Sequence, residues 1–186
     1  MTLLHAELQH ANQRLKHSTD LMLHRLQRFV TATFPSDNEG WNPSEVIQHL
    51  TISEKGILGY VKKKTSSGWL GLEEANEETR LRGKILLERL ATREKYPAPE
   101  FIAKPEKGIP LNDAIAEWMR HRQELNQYFN SAPMESLSLL VFRQPAAGML
   151  TLIQTVHFIA SHIEHHFQQI DSYFVNDESD AVDLLE

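Results

Sequence analysis

The chain has 186 residues, 41% of them hydrophobic, and a formal net charge of −6. A single domain of that length buries a full core, and the acidic balance offers no basic field to nucleic acid or to an anionic membrane. There is no cysteine, which excludes disulfides, thiolate metal sites and cysteine nucleophiles and suits a reducing compartment.

No apolar run approaches the ~20 residues that span a bilayer. The start, Met1-Thr-Leu-Leu-His-Ala-Glu7, has no basic stretch ahead of an apolar one, so no secretory signal is read there. The expectation is a cytoplasmic protein that acts on a small molecule, with no nucleic-acid or membrane partner.

Apolar residues at Leu4, Leu8, Ala11, Leu15, Met22, Leu26 and Phe29 predict a first helix over residues 3–32. Turn chemistry from Phe34 to Gly40 ends it. The second helix opens at Trp41-Asn-Pro-Ser-Glu45, where Asn42 can cap, Pro43 suits the first helical position and Glu45 can complete a capping box. It is expected to run to about Lys62, with a stripe of Val46, Leu50, Ile57 and Val61. His49 lies on the flank of that stripe, near Ser53 and Tyr60.

A long irregular connection follows, residues 63–110. Its stretch from Glu73 to Arg93 is charged and predicts one extra helix, loosely packed. Tyr96-Pro-Ala-Pro-Glu-Phe101 and Lys104-Pro-Glu-Lys-Gly-Ile-Pro110 are too rich in proline for helix. The connection is long enough to cross a bundle end to end, so the helices on either side are free to run parallel.

The third helix is predicted over residues 111–130, with a stripe of Leu111, Ile115, Trp118, Leu125 and Phe129. Arg122 falls in the middle of that face, where a lone charge is costly. Both Arg122 and Glu54 project toward the interior, and the expectation is that they pair as a buried structural bridge. Residues 134–148 read as a second connection without a strand. The last helix is predicted over residues 149–174 on Ile153, Val156, Ala160, Ile163, Phe167, Ile170 and Phe174. Residues 177–186 form an acidic tail. The economical architecture is all-α: a four-helix bundle in one domain, residues 1–176, followed by that tail.

The sharpest chemical signal is His162 and His166 on the last helix. At about 100° per residue they lie within about 40° of each other, so both imidazoles can address one ion. His49, on another helix flank, is the best third ligand. Three neutral nitrogens with one open position make a catalytic set, which zinc, nickel or ferrous iron would all accept. The bland alternative, a merely solvated pair, stays open on spacing alone. His157 lies on the other side of the helix and reads as a core or surface residue. His165, His121, His24, His17, His10 and His5 read as surface.

Several stretches together resemble the DinB-like superfamily. Trp41-Asn-Pro-Ser-Glu-Val-Ile-Gln-His49-Leu-Thr-Ile-Ser-Glu54 is similar to its second-helix motif, and His162-Ile-Glu-His-His166-Phe-Gln-Gln169-Ile170 to its last-helix motif. Pro97-Ala-Pro-Glu100-Phe and Lys104-Pro-Glu-Lys-Gly108 are similar to its mid-chain loop. Arg143-Gln-Pro145-Ala-Ala-Gly148 is similar to its lead-in to the last helix, with Gln144 where a histidine is frequent.

The resemblance implies an up-down-down-up four-helix bundle and His49, His162 and His166 as ligands of a divalent metal. It also implies chemistry on water or on a low-molecular-weight thiol such as bacillithiol, mycothiol or glutathione, as a hydrolase or thiol S-transferase. Tyr60, Ser53 and Gln169 are read as lining the substrate pocket. The competing expectation is a non-catalytic bundle that binds a metal or small molecule and acts through homodimerisation.

Overall fold

The computed structural model describes residues 3–32, 34, 40–69, 71–92 and 104–173. Among them five helices and one hairpin follow in order: α1 (Leu3–Leu26), α2 (Pro43–Lys64), α3 (Glu77–Ala91), α4 (Leu111–Asn130), β1 (Leu140–Gln144), β2 (Gly148–Thr151) and α5 (Leu152–His165). A 3₁₀ turn, Gln27–Phe29, extends α1, and another, Met134–Ser136, precedes β1. Helix resumes over residues 167–173 after a one-residue break at His166. No helix among the described residues is long and apolar enough to cross a membrane. The Tyr96–Phe101 loop and the acidic tail 177–186 lie outside the described residues.

α2 starts where its cap chemistry directs. Asn42 accepts from the Glu45 N–H, the Glu45 carboxylate accepts from the Asn42 N–H, and Pro43 takes the first helical position. α2 packs on α4, and α1 and α3 pack on α5. Val46, Ile47, Leu50 and Val61 of α2 and Trp118 and Leu125 of α4 have no exposed surface. Each contributes about 1.5–3 kcal/mol by burial, so α2 is a rigid platform for whatever it carries.

α1 is fastened to α5 by polar contacts at its edge. Arg14 grips Glu164 through Nη2 (2.5 Å) and Nε (3.2 Å) and donates to Ser161 Oγ at 2.9 Å, while Ser18 Oγ donates to Glu164 at 2.6 Å. Glu164 sits between His162 and His166 in the sequence, yet it is committed to α1.

The structure corrects several expectations. The segment read as strandless holds the antiparallel β1–β2 hairpin, with Phe142 opposite Leu150 and Gln144 opposite Gly148. Leu140, Val141 and Phe142 are all buried, so β1 lacks the alternation that marks a half-exposed strand. Gln144 Oε1 closes the turn by accepting from the Ala146 and Ala147 N–H groups, and Gly148 follows at φ 79°, a left-handed conformation that favours glycine. α5 therefore begins three residues later than residue 149, on a Thr151–Gln154 capping box. α3 packs on α5 by one narrow face, with Leu81 and Ile85 left exposed. It buries Thr79, Gly83 and Leu86, and a Cβ on Gly83 would stand 2.3 Å from Gln154 Nε2. A larger residue there would oblige the end of the Gln154 side chain to move.

Candidate metal centre

His49 comes from the second turn of α2, and His162 and His166 from the end of α5. His162 Nε2 lies 3.2 Å from His49 Nε2 and 3.3 Å from His166 Nε2, and one ligand nitrogen from each ring falls within 4.8 Å of the others. Ring centroids are 5.0–5.1 Å apart in all three pairs. His49 and His166 are buried and His162 is half-buried. Trp41 packs against His49 at 4.7 Å, and Phe158 stacks parallel on His162 at 6.0 Å.

The local backbone explains how His166 arrives there. Its N–H bonds Ile163 O, three residues back, at 3.1 Å, so the α-helical ladder is interrupted at the residue itself. Gln169 Oε1 lies 2.9 Å from His166 Nδ1. The amide oxygen accepts, so Nδ1 carries the proton and Nε2 presents a lone pair to the cluster. A hydrogen bond on the far nitrogen is how a ligating imidazole is usually aimed.

The donor set fits a cation. Two imidazole nitrogens at hydrogen-bond distance can share one proton, but His162 Nε2 faces two partners. At least one close contact is then between lone pairs unless a positive charge sits among them. For a tetrahedral ion with bonds of ~2.1 Å, neighbouring nitrogens stand about 3.4 Å apart, close to the spacing seen here. Neutral imidazoles suit zinc, nickel and iron alike.

The rings are held neutral. Burial lowers the pKa of His49 to about 4, with His166 and His165 acting in the same direction. It lowers His166 to about 4 against the opposing bond from Gln169. It lowers His162 well below its ordinary value, helped by its two neighbours.

These shifts have a consequence for the metal-free protein. Between pH 6.5 and about 4 the unfolded chain binds protons that the folded cluster refuses, so stability falls as the pH falls through that window. The first such protonation costs on the order of 3 kcal/mol. Thermal unfolding of metal-free protein at pH 7 and pH 4.5 should show a drop that His166→Gln reduces. An unchanged pH profile in that variant would contradict the assignment.

The other expected site residues fall in three places. Ser53 lies one turn past His49, and its Oγ and His49 Nδ1 are both buried without a hydrogen-bond partner. Gln169 is on the far side of His166, as described. Tyr60 is 37% exposed and stands off from the cluster. Its ring meets Phe142 at 5.6 Å, Phe142 meets Phe158 at 6.2 Å, and Phe158 covers His162. Phe142 and Phe158 are the rings of this series that the sequence reading omits, though the position of Phe158 one turn ahead of His162 could have flagged it.

Glu54 and Arg122 face each other across the α2–α4 seam. Arg122 Nη1 is 3.5 Å from Glu54 Oε1, and the two side chains are 4% and 1% exposed. Trp118 Nε1 donates to Glu54 at 3.1 Å, and Arg122 Nη2 donates to Thr19 Oγ1 at 3.0 Å. Burial raises the Glu54 pKa, opposed by Arg122 and by the Trp118 bond.

One histidine departs from the surface reading. His121 is buried on α4, and its lowered pKa reflects that burial. Its place next to Arg122, on the face that α4 turns to α2, explains why. His10 is exposed, yet its ring faces His157 at 5.9 Å.

The family model described as the DinB superfamily matches residues 8–170. No curated protein and no solved structure matches the chain.

Proposed function

The chain belongs to the DinB superfamily, and on that basis we propose that it is a metalloenzyme in which His49, His162 and His166 hold one divalent ion, whether zinc, nickel or iron. The observation that carries this reading is the convergence of three Nε2 atoms, 3.2 and 3.3 Å apart at the closest pairs. When bound, such an ion supplies Lewis acidity and lowers the pKa of a water or thiol in the position that three nitrogens leave free.

The protein's own groups do the rest. Burial keeps the rings unprotonated and ready to donate. Trp41 and Phe158 shield two of them from water, which strengthens every electrostatic contact inside. Gln169 holds His166 in the tautomer that faces inward. Among the described residues there is no cysteine and no carboxylate in the cluster of potential ligands, so a thiol nucleophile comes from a small cosubstrate. The reaction class is hydrolysis, or transfer of a low-molecular-weight thiol to a small electrophile, with Ser53 as a candidate pocket residue.

We read the scaffold as a four-helix bundle of α1, α2, α4 and α5 with up-down-down-up topology. The packing of α1 on α5 and of α2 on α4 supports it. So does the connection of more than forty residues between Lys64 and Leu111, which carries α3.

The test is turnover by protein loaded in turn with zinc, nickel or iron(II). Each form is offered bacillithiol, mycothiol or glutathione with a model electrophile, and separately an activated ester. Metal-dependent consumption that His162→Ala abolishes is expected. Turnover that is equal with and without metal overturns the enzyme reading, and metal binding with no turnover across the panel favours a non-catalytic, dimerising module.

Gln169 gives a sharper local prediction. Gln169→Ala should weaken metal binding about 10–100-fold, while Gln169→Glu, which can still accept from Nδ1, should keep it. Competition with a chelating dye measures both. Equal affinity in all three proteins would show that Gln169 does not aim His166.

A further inference from the structure

A second group of ligand-type side chains lies away from the central cluster. α1, α3 and α5 enclose a groove of about 690 Å³, lined by Glu7 and His10 of α1, Lys84 and Leu87 of α3, and Ile153 and His157 of α5, among others. His157 is five residues before His162, about 140° around the helix, so the groove opens on another side of α5.

We propose that this groove is a second binding site for a divalent transition-metal ion, with His10 and His157 as imidazole ligands and Glu7 as a carboxylate ligand. It stands independently of the central cluster.

The two imidazoles come from different helices, so nothing in the secondary structure obliges them to meet. Their rings nonetheless lie 5.9 Å apart at 54°, against 5.0–5.1 Å within the central cluster. His10 is exposed and lines the groove beside His157, and the pair closes on an ion when the His10 side chain turns toward it. Glu7 precedes His10 by one turn on the same face of α1. It is also exposed and lines the same groove.

His157 Nδ1 is buried without a hydrogen-bond partner, so no hydrogen bond at that atom fixes the ring. Burial, with Arg14 and His10 beside it, keeps the ring neutral against the pull of Glu164. Two cations oppose a metal here, and each is engaged elsewhere: the Lys84 ammonium lies 3.8 Å from Glu88 along α3, and the Arg14 guanidinium is held by Glu164. Two nitrogens and one carboxylate oxygen select copper(II), nickel and zinc over calcium or magnesium. Having fewer nitrogens and more solvent than the central cluster, the groove binds the more weakly of the two.

Equilibrium dialysis of the full chain against zinc, followed by metal analysis, tests this. Wild type is expected to take up two ions in two affinity classes. His10→Ala and His157→Gln should each weaken the second class by at least about tenfold and leave the first unchanged. His162→Ala should do the reverse, which keeps failure here distinct from failure of the central assignment. His10 is exposed, so its variant reads the site even if His157→Gln fails to fold. Copper(II) bound to His49→Ala/His162→Ala, which leaves a single imidazole in the central cluster, should show the paramagnetic resonance signature of two imidazole nitrogens, lost when His10→Ala is added. One ion per wild-type chain, or a second class that survives in both groove variants, overturns the proposal.

Discussion

Arg122→Met should cost about 3–5 kcal/mol of stability, the range seen when one partner of a buried ion pair is removed. Typical domains have only about 5–15 kcal/mol in hand, so the variant should unfold at far lower denaturant concentration with an unchanged slope. Glu54, 1% exposed, would keep only the Trp118 N–H as a donor and would face the apolar seam as an uncompensated charge. Its pKa is already raised by burial, and Arg122 is the largest opposing influence. Without that influence the carboxyl takes a proton more readily, and a group whose folded pKa lies above its unfolded one stabilises the fold at low pH. The deficit of Arg122→Met relative to wild type should therefore shrink as the pH falls. Glu54→Leu/Arg122→Met should recover most of the loss, because replacing both members removes the buried charge along with its partner. A loss below about 1 kcal/mol at pH 7 would mean the two groups are not coupled in the fold.

His49→Ala should separate stability from metal binding. A structural zinc site gains roughly 10–16 kcal/mol from four ligands, or about 3 kcal/mol per ligand, so losing one of three should weaken binding more than a hundredfold. The metal-free variant, by contrast, should lose less stability than truncation of an apolar residue at so buried a position. Both close nitrogen contacts converge on His162 Nε2, one of them from His49, and His49 Nδ1 has no partner. Removing His49 takes away one close contact and one unsatisfied polar atom, offsetting part of the cavity cost. This is the usual trade of stability against function at a binding site. Titration of metal-free protein and thermal unfolding of the same sample measure both halves. Equal affinity in wild type and variant, or a fall in stability with no change in affinity, would reverse the argument.

Local rules of helix formation made much of this molecule legible. The Asn42–Glu45 box sets the start of α2 and thereby the phase at which His49 leaves the helix. The i, i+4 spacing of His162 and His166 sets their common direction. Charge on an apolar face singled out Arg122, which the fold places 3.5 Å from Glu54.

What sequence alone did not reveal depends on contacts between distant segments. β1 is buried on consecutive residues and carries no period of two. α3 looks like a solvated charged segment until Gly83 is seen against Gln154. Gln169 looks like a pocket residue, but the break at His166 brings it behind that ring. Tyr60 shares a helix with His49 but turns its ring to Phe142, so two further rings separate it from His162.

The most direct test of the central claim is the metal-to-protein ratio of chain purified without added metal, measured beside His162→Ala prepared identically and stripped of loosely held ions. About one tightly held divalent ion per wild-type chain and essentially none in the variant is the expected result. The same stoichiometry in both proteins would contradict it.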